Sequence, residues 1–304
     1  MRLSVMVSAF VCLCAVVIGI AAQVQDGDDV RGAFLTSRPK EKKTASSGAA
    51  AKPSRRRPKS TVPATTNKPP EKSTSTPATT SDAGTAASTP SKPVNTPRIG
   101  LGLTLFMRDS TGLAVRTDPD HVFRSGDRVR VLLETNADGY LYIFNTTNDG
   151  PAVMIYPDAQ LDEAGNYIQA HVPFEIPSSQ AAEEKLRWFA FDDVGGTERV
   201  FFVFTREPLK GIPIEDELIA LCRDSKESCP VKPSSEVWAE IKKELQEPLK
   251  RDKVQKIGGA ETDAEQQATT RGLGLAKSDP QPSLVMMASS PRSTLVATLD
   301  LIHK

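Results

Sequence analysis

The stretch from Phe123 to Pro157 reads FRSGDRVRVLLETNADGYLYIFNTTNDGPAVMIYP and decides the fold class. Three runs of aliphatic, β-branched and aromatic residues are separated by turn residues at Gly126, at 136–139 (NADG) and at 148–150 (NDG). Turns of this kind between apolar runs are typical of antiparallel strands joined by hairpins. The stretch therefore predicts a β-rich module, and it carries no catalytic motif of its own.

Further strands are predicted on both sides of this stretch from the period-two alternation of apolar residues. The clearest is 198–205, where large apolar side chains occupy both faces, as they also do at 140–144. Together with 101–107, 113–115, 167–172 and 187–191 these make about seven or eight short strands. We expect an antiparallel immunoglobulin-like β-sandwich, with a small barrel as the alternative.

The predicted helices follow the strands. Ile214, Leu218 and Leu221 have helical spacing, and Ser234 or Ser235 can cap a second helix that Pro248 ends. The polar, glycine-interrupted residues 250–270 predict a loop, and 294–302 (TLVATLDLI) predicts a terminal strand that returns to the sheet. The expected divisions are a signal peptide (1–22), a disordered linker (23–97), a sandwich module (98–210), a small helical and loop extension inserted before the end (211–292) and the terminal strand (293–304).

The first residues have the pattern of a targeting signal. Arg2 supplies the positive start, and the run from Leu3 to Ile20 is almost wholly apolar. Small residues follow, so we expect cleavage near Ala22 or Gln23. An uncleaved anchor is the alternative, because the run is just long enough to span a bilayer. The signal predicts export to the periplasm, the cell envelope or the extracellular space.

The linker is predicted from its composition. Residues 52–97 are dominated by Pro, Ser, Thr, Ala and Lys, and they bury too little apolar surface to offset the entropy of ordering. Residues 38–98 contain 13 Lys/Arg and 3 Asp/Glu, whereas 99–230 contain 12 and 22. The formal net charge of zero therefore combines a basic segment with an acidic one. The basic segment is expected to meet an anionic polymer or the acidic domain, and its glycosylation is left open.

Two cysteines lie outside the signal, Cys222 and Cys229. In an oxidising compartment such a pair predicts a disulfide. A zinc half-site is the alternative, but no CxxC pair and no neighbouring histidine supports it.

No catalytic motif is recognisable in the sequence. His121, His171 and His303 lack the spacing of a ligand set or a catalytic pair, which predicts surface or turn positions. There is no G-x-S-x-G elbow, P-loop, H-E-x-x-H or kinase signature. We therefore expect no catalytic residue, no metal site and no cofactor.

Aromatic and loop residues of the central stretch are the best candidates for binding. Loops cluster at the ends of a sandwich, and an exposed tyrosine can stack on a sugar or grip a peptide. The candidates are Tyr140, Tyr142, Asn148, Asp149, Tyr156 and Asp158. A hydrolase acting on cell wall or glycan is the alternative, with Asp158, Asp162 or Glu163 as its carboxylates.

The order of motifs resembles a known family. The series is F-x-x-G-D-x-V-R at 123–130, N-x-D-G-Y-L-Y-I at 136–143, D-G at 149–150, Y-P at 156–157, I-P at 176–177, T-E at 197–198 and R-E-P at 206–208. Across about residues 116–208 it resembles the bacterial exported family called domain of unknown function 4384. The resemblance implies a sensing, binding or scaffolding accessory. Some members of that family are fused to caspase-like peptidases or protein kinases. The resemblance implies no catalytic residues.

These observations predict a non-enzymatic exported envelope protein whose sandwich binds a protein or a cell-wall glycan. The alternatives are the hydrolase above and a structural protein that self-assembles. Nucleic acid is not an expected partner, because an exported chain rarely meets it. The membrane would be contacted only through an uncleaved signal, and the oligomeric state is left open.

Overall fold

A computed structural model describes residues 29–40, 97–159, 165–223, 229, 231–254 and 257–304. The predicted signal peptide and most of the predicted linker lie outside these residues. Within them, no helix combines the length and the apolar character needed to cross a membrane.

The described residues form a mainly β fold, which confirms the predicted fold class. There are thirteen strands in these ranges: β1 (Gly100–Arg108), β2 (Ala114–Arg116), β3 (Val122–Phe123), β4 (Arg128–Thr135), β5 (Gly139–Thr147), β6 (Val153–Tyr156), β7 (Tyr167–Ile168), β8 (Phe174–Ile176), β9 (Phe189–Ala190), β10 (Gly196–Thr205), β11 (Leu249–Lys253), β12 (Leu284–Ala288) and β13 (Thr294–His303). The helices are α1 (Val30–Thr36), α2 (Glu215–Cys222), α3 (Ser235–Leu245) and α4 (Asp263–Arg271), with a 3₁₀ turn at Glu184–Arg187.

The strands form two sheets. The first sheet has the order β11-β12-β1-β4-β8, with β2 paired to β1 and β9 paired to β4. The second has the order β3-β13-β10-β5-β6, with β7 paired to β5. Neighbouring strands are antiparallel except for β13 and β3, which are parallel. The terminal segment therefore lies inside the second sheet as β13, paired with β10 along its whole length.

The two sheets pack face to face over one apolar core. Alternate residues of β1 and β4 point inward from the first sheet, and alternate residues of β5, β10 and β13 point inward from the second. Leu101 and Phe202 are among the fully buried members of this core. Such interdigitation of two inner faces is what holds a sandwich together.

The second sheet is also covered on its outer face. Trp238 of α3 packs against Phe144 and Phe201, with ring centroids 5.8 and 4.8 Å apart. Ser234 caps α3 by accepting from the Val237 backbone N–H at 3.3 Å. Cys222, at the end of α2, is disulfide-bonded to Cys229. The predicted disulfide is thus present, and it fastens this helical layer.

Two expectations for the rest of the chain are wrong. Residues 29–40, which we assigned to the disordered linker, contain α1, whose Phe34 is fully buried against Val285 and Met287 of β12. The segment 250–270 is not a loop, because it contains most of β11 and most of α4. Both pieces are short, and they are stabilised by partners that are distant in sequence.

Candidate functional site

The three tyrosines predicted to bind are core residues. Tyr140 is 3% exposed, and Tyr142 and Tyr156 are 0% exposed. Tyr142 Oη accepts from the Leu209 N–H at 3.0 Å, and burial raises the pKa of this phenol. Tyr156 Oη donates to the Gly165 carbonyl at 3.1 Å. With their rings buried, these side chains offer no face to a ligand, which corrects the expectation of surface tyrosines.

The predicted loop residues are spread over the surface rather than gathered. Asn148 and Asp149 form the exposed tip of the β5–β6 hairpin, with φ of 50° and 58°. Asn148 Oδ1 accepts from the Thr197 N–H at 2.9 Å, and Asp149 pairs with Arg199 at 2.8 Å. Asp158 lies half-buried after β6. Residues 162 and 163, the other carboxylates of the hydrolase alternative, lie outside the described residues.

The structure instead contains an apolar cavity between the two sheets, which we call the inter-sheet pocket. Its volume is about 180 Å³. Its lining comes from both sheets: Val129, Val131, Ile143, Asn145, Ile155, Ile176, Phe189, Ala190, Phe191, Glu198, Val200, Phe202 and Leu301. The strands bordering it on the open side, β6, β8 and β9, have four, three and two residues. Because these edge strands are short, the sandwich is left open along this side.

The inter-sheet pocket has one polar end, built by the strand alternation that builds the core. Asn145 follows Leu141 and Ile143 in the inward row of β5, and Glu198 precedes Val200 and Phe202 in that of β10. A change from apolar to polar along an inward row can be read on each strand separately, but the sequence does not show that the two polar positions meet. The polar end was missed because it forms only where β5 and β10 pair.

Hydrogen bonds fix the two polar side chains. Asn145 Nδ2 donates to Glu198 Oε2 at 2.5 Å, and Thr147 Oγ1 donates to the same oxygen at 2.9 Å. Glu198 Oε1 lies 3.6 Å from His303 Nε2, and both His303 ring nitrogens are buried without a hydrogen-bond partner in the described part of the chain. Asn145 Oδ1 is likewise a buried acceptor that receives no hydrogen bond there. The partly exposed Glu198 carboxylate is therefore the acceptor that this end of the pocket offers to a ligand.

The pocket favours a small ligand with an apolar body and a hydrogen-bond donor. Its volume of about 180 Å³ is below the ~300–1,000 Å³ of pockets for drug-sized ligands. It suits one side chain of a protein partner or a molecule of similar size. Two larger surface depressions, of about 400 and 360 Å³, lie beside the turns at 108–112 with 126–128 and at 208–217. The first is lined by charged, polar and glycine residues, and neither lies within the sandwich.

The outer face of the first sheet carries a second feature that sequence reasoning missed, a layer of buried ion pairs. Arg38 pairs with Glu134, Arg116 with Glu265, and Arg130 with both Glu175 and Glu261. Each of these seven side chains is at most 6% exposed. The layer lies under α1, α4 and the segment before β12. Buried charges are tolerated because they are paired.

One carboxyl in this layer, that of Glu261, has a raised pKa. Burial first, and the neighbouring Glu175 carboxylate second, together raise the pKa of Glu261 to about 8. Oε1 of each residue receives no hydrogen bond from a described donor, so a proton shared between the two carboxyls satisfies both. A perturbed carboxyl can mark a functional site, but no cavity reaches this pair among the described cavities. Among the described residues no group of three or more His, Cys, Asp or Glu is arranged to hold a metal.

Comparison with known proteins gives one match. No curated protein and no solved structure matches the chain. The matched segment, 122–208, runs from β3 through β10 and contains every residue of the inter-sheet pocket except Leu301. The family whose model matches this segment is described as Domain of unknown function (DUF4384).

Proposed function

We propose that this chain is an exported envelope protein whose sandwich binds a protein partner through the inter-sheet pocket. The observation that carries the proposal is the cavity of about 180 Å³ with apolar walls and an acceptor-lined end. Export is supported by the signal pattern at the start of the sequence and by the disulfide, since disulfides persist in oxidising compartments.

A protein side chain fits this pocket better than a sugar. Glycan sites use exposed aromatic rings and many hydrogen bonds, whereas the candidate tyrosines are buried and the pocket walls are aliphatic and phenylalanine residues. Glu198 presents a carboxylate acceptor beside those walls. The expected anchor is a leucine-sized side chain next to a cationic or N–H donor group. The acidic charge of 99–230 favours the same kind of partner.

The chemistry of the pocket is tested with two small probes that share an apolar group and differ in the charge of the head group. Isobutylammonium and isovalerate carry the same isobutyl group, one with a cationic head and one with an anionic head. We expect isobutylammonium to shift the methyl NMR signals of Ile143 and Val200, and isovalerate to shift them much less. Equal shifts from both probes, or none from either, would contradict the proposed ligand class.

A variant with a blocked pocket distinguishes binding in the pocket from nonspecific binding. Ala190 is exposed and lines the pocket, so Ala190→Phe places a ring at its opening. Ala182→Phe adds the same ring at an exposed position that does not line the pocket. Peptides with a leucine beside a lysine should bind wild type and Ala182→Phe alike, and Ala190→Phe at least tenfold more weakly. Retained binding by Ala190→Phe would move the binding surface elsewhere.

A further inference from the structure

A separate cluster on the outer face of the first sheet has the geometry of an activated serine. Ser37 Oγ lies 2.7 Å from His171 Nε2. On the other side of the ring, His171 Nδ1 lies 2.6 Å from Glu134 Oε1. The three residues come from the end of α1, the turn before β8 and the end of β4. Serine, imidazole and carboxylate are thus in line through the two ring nitrogens, the order that nucleophilic serine sites use.

The carboxylate determines which ring nitrogen can act as a base. Glu134 is held by Arg38, with Nε 2.7 Å from Oε1 and Nη2 2.5 Å from Oε2, and so acts as an acceptor. His171 Nδ1 therefore carries the hydrogen that Glu134 accepts. In the neutral ring the lone pair is then on Nε2, facing Ser37. Ser37 Oγ also lies 3.1 Å from the Phe34 carbonyl, but the contact with Nε2 is the shorter of the two.

Several contacts fix the position of His171, which lies in a turn. Its φ of 58° places it in the left-handed region, which is uncommon for a residue other than glycine. Its N–H donates to the Thr135 carbonyl at 2.7 Å, and its carbonyl accepts from the Leu275 N–H at 2.8 Å. The Phe34 ring packs edge-on against it at 5.6 Å. Unusual backbone geometry of this kind occurs preferentially at functional sites.

The serine is accessible and the other two residues are buried, as a nucleophilic site requires. Ser37 is exposed, whereas His171 and Glu134 are each 3% exposed. A substrate can therefore reach the serine oxygen, while the base and its positioning carboxylate are shielded from water. No cavity of the described residues encloses Ser37. This favours small, reactive substrates over large ones that need a cleft.

We infer that Ser37 is a nucleophile toward small activated acyl esters, with His171 as its general base and Glu134 as the residue that positions the ring. The Ser37 oxygen forms a bond to the ester carbonyl carbon while its proton moves to His171 Nε2. The bond to the leaving alcohol then breaks, and the alcohol takes that proton. Water attacks the acyl-serine in the same way, releasing a carboxylic acid and restoring the serine. This activity goes beyond partner binding and uses no residue of the inter-sheet pocket.

The test is covalent labelling of the full chain with a fluorophosphonate, followed by peptide mass spectrometry. The reagent forms a bond from phosphorus to a nucleophilic serine oxygen and releases fluoride. We expect Ser37 to be labelled about 100-fold faster than Ser110, an exposed turn serine with no histidine contact among the described contacts. Ser37→Ala should lose the adduct and Ser110→Ala should keep it.

The role of His171 is tested by His171→Gln, which should lower the labelling rate of Ser37 to that of Ser110. Because His171 is buried, the fold of this variant is checked by circular dichroism. If the variant is unfolded, the labelling rates of Ser37 and Ser110 in the wild-type chain decide whether Ser37 is activated. If the hydrogen bond between Ser37 and His171 only holds α1 in place, we expect no preferential labelling of Ser37. The same holds if His171 is an imidazolium that donates to Ser37. Equal labelling of Ser37 and Ser110 in the folded wild-type chain would overturn the inference.

Discussion

The Arg38 guanidinium donates hydrogen bonds to both oxygens of the Glu134 carboxylate, although the two residues are 96 positions apart in the chain. The remaining Arg38 donors go to the carbonyls of Ala276, Asp279 and Pro280 at 3.0–3.2 Å. This contact joins the N-terminal segment, the centre of the first sheet and the segment before β12. Arg38 precedes residues 41–96 in the sequence, and Glu134 follows them. The contact therefore holds the segment that contains Arg38 against the first sheet.

Removing Arg38 should be strongly destabilising. Arg38→Met leaves the Glu134 carboxylate buried without its main partner, and we expect the free energy of unfolding in urea to fall by about 3–5 kcal/mol. Replacing both partners, as Arg38→Met with Glu134→Leu, should recover much of that loss. Lys185→Ala is the control, because its pair with Glu183 is exposed on both sides and should contribute little to stability. A loss for Arg38→Met as small as the control's would show that the pair contributes little.

The raised pKa of Glu261 predicts how stability depends on pH. The pKa of an unfolded glutamate is near 4.5, and that of folded Glu261 is about 8. Between these values the folded state holds a proton that the unfolded state lacks, so this residue makes stability fall as the pH rises from about 4.5 to about 8. Glu261→Gln mimics the protonated form, and the variant should gain stability over wild type across that window, by a few kcal/mol at most.

The measurement is the difference in unfolding free energy between Glu261→Gln and wild type, taken from pH 5 to pH 9. Glu236→Gln is the control, because hydrogen bonds at the start of α3 lower the Glu236 pKa. Its stabilising effect is lost only as the pH falls below the usual glutamate range, so its difference from wild type should stay constant over this window. A constant difference for Glu261→Gln as well would show that the residue is ionised in the folded state.

Gly139 should not tolerate a side chain. A Cβ at this position would lie 2.3 Å from the Thr205 carbonyl oxygen and 2.7 Å from the Phe204 ring, at the start of the pairing between β5 and β10. We expect Gly139→Ala to lower the melting temperature by an amount that corresponds to about 1–3 kcal/mol. At Gly259 the nearest atom to such a Cβ is 3.8 Å away, so Gly259→Ala should stay within about 0.5 kcal/mol. Similar losses at both positions would contradict the close approach.

The disulfide should stabilise the helical layer by a modest amount. Cys222 and Cys229 are seven positions apart, so the closed loop is short and the effect on the unfolded chain is about 2 kcal/mol. The double variant Cys222→Ala and Cys229→Ala should lose that amount in urea denaturation. Wild type under a reducing agent should lose a similar amount, which serves as the matched comparison. No change in either sample would show that the bond has no effect on stability.

Much of the sandwich could be predicted because its signals are local. The strands at 123–157 and 198–205 alternate with a period of two, and the turns between them contain the glycine, asparagine and aspartate residues that hairpins need. The only two cysteines outside the predicted signal form the disulfide that was expected. The same local order of motifs was enough to indicate the family of 122–208.

The candidate site could not be predicted in this way. β5 has large apolar residues on both faces, and burial of Tyr142 depends on α2 and α3, which follow much later in the chain. The inter-sheet pocket exists because two rows of side chains from different sheets leave space between them, which no single strand encodes. Asn145 and Glu198 become one polar end only when β5 and β10 pair.

By itself, the sequence determined the strand periodicity, the turns, the disulfide and the family resemblance of 122–208, since each depends on residues close together in the chain. Only the tertiary structure decided that the tyrosines are buried, that α1 docks on the first sheet, and that Ser37, His171 and Glu134 meet. The physical reason is that burial and side-chain contact depend on the packing of distant segments. A helix of seven residues such as α1 carries little local signal, and it is stabilised where Phe34 packs on β12 and the nearby Arg38 pairs with Glu134.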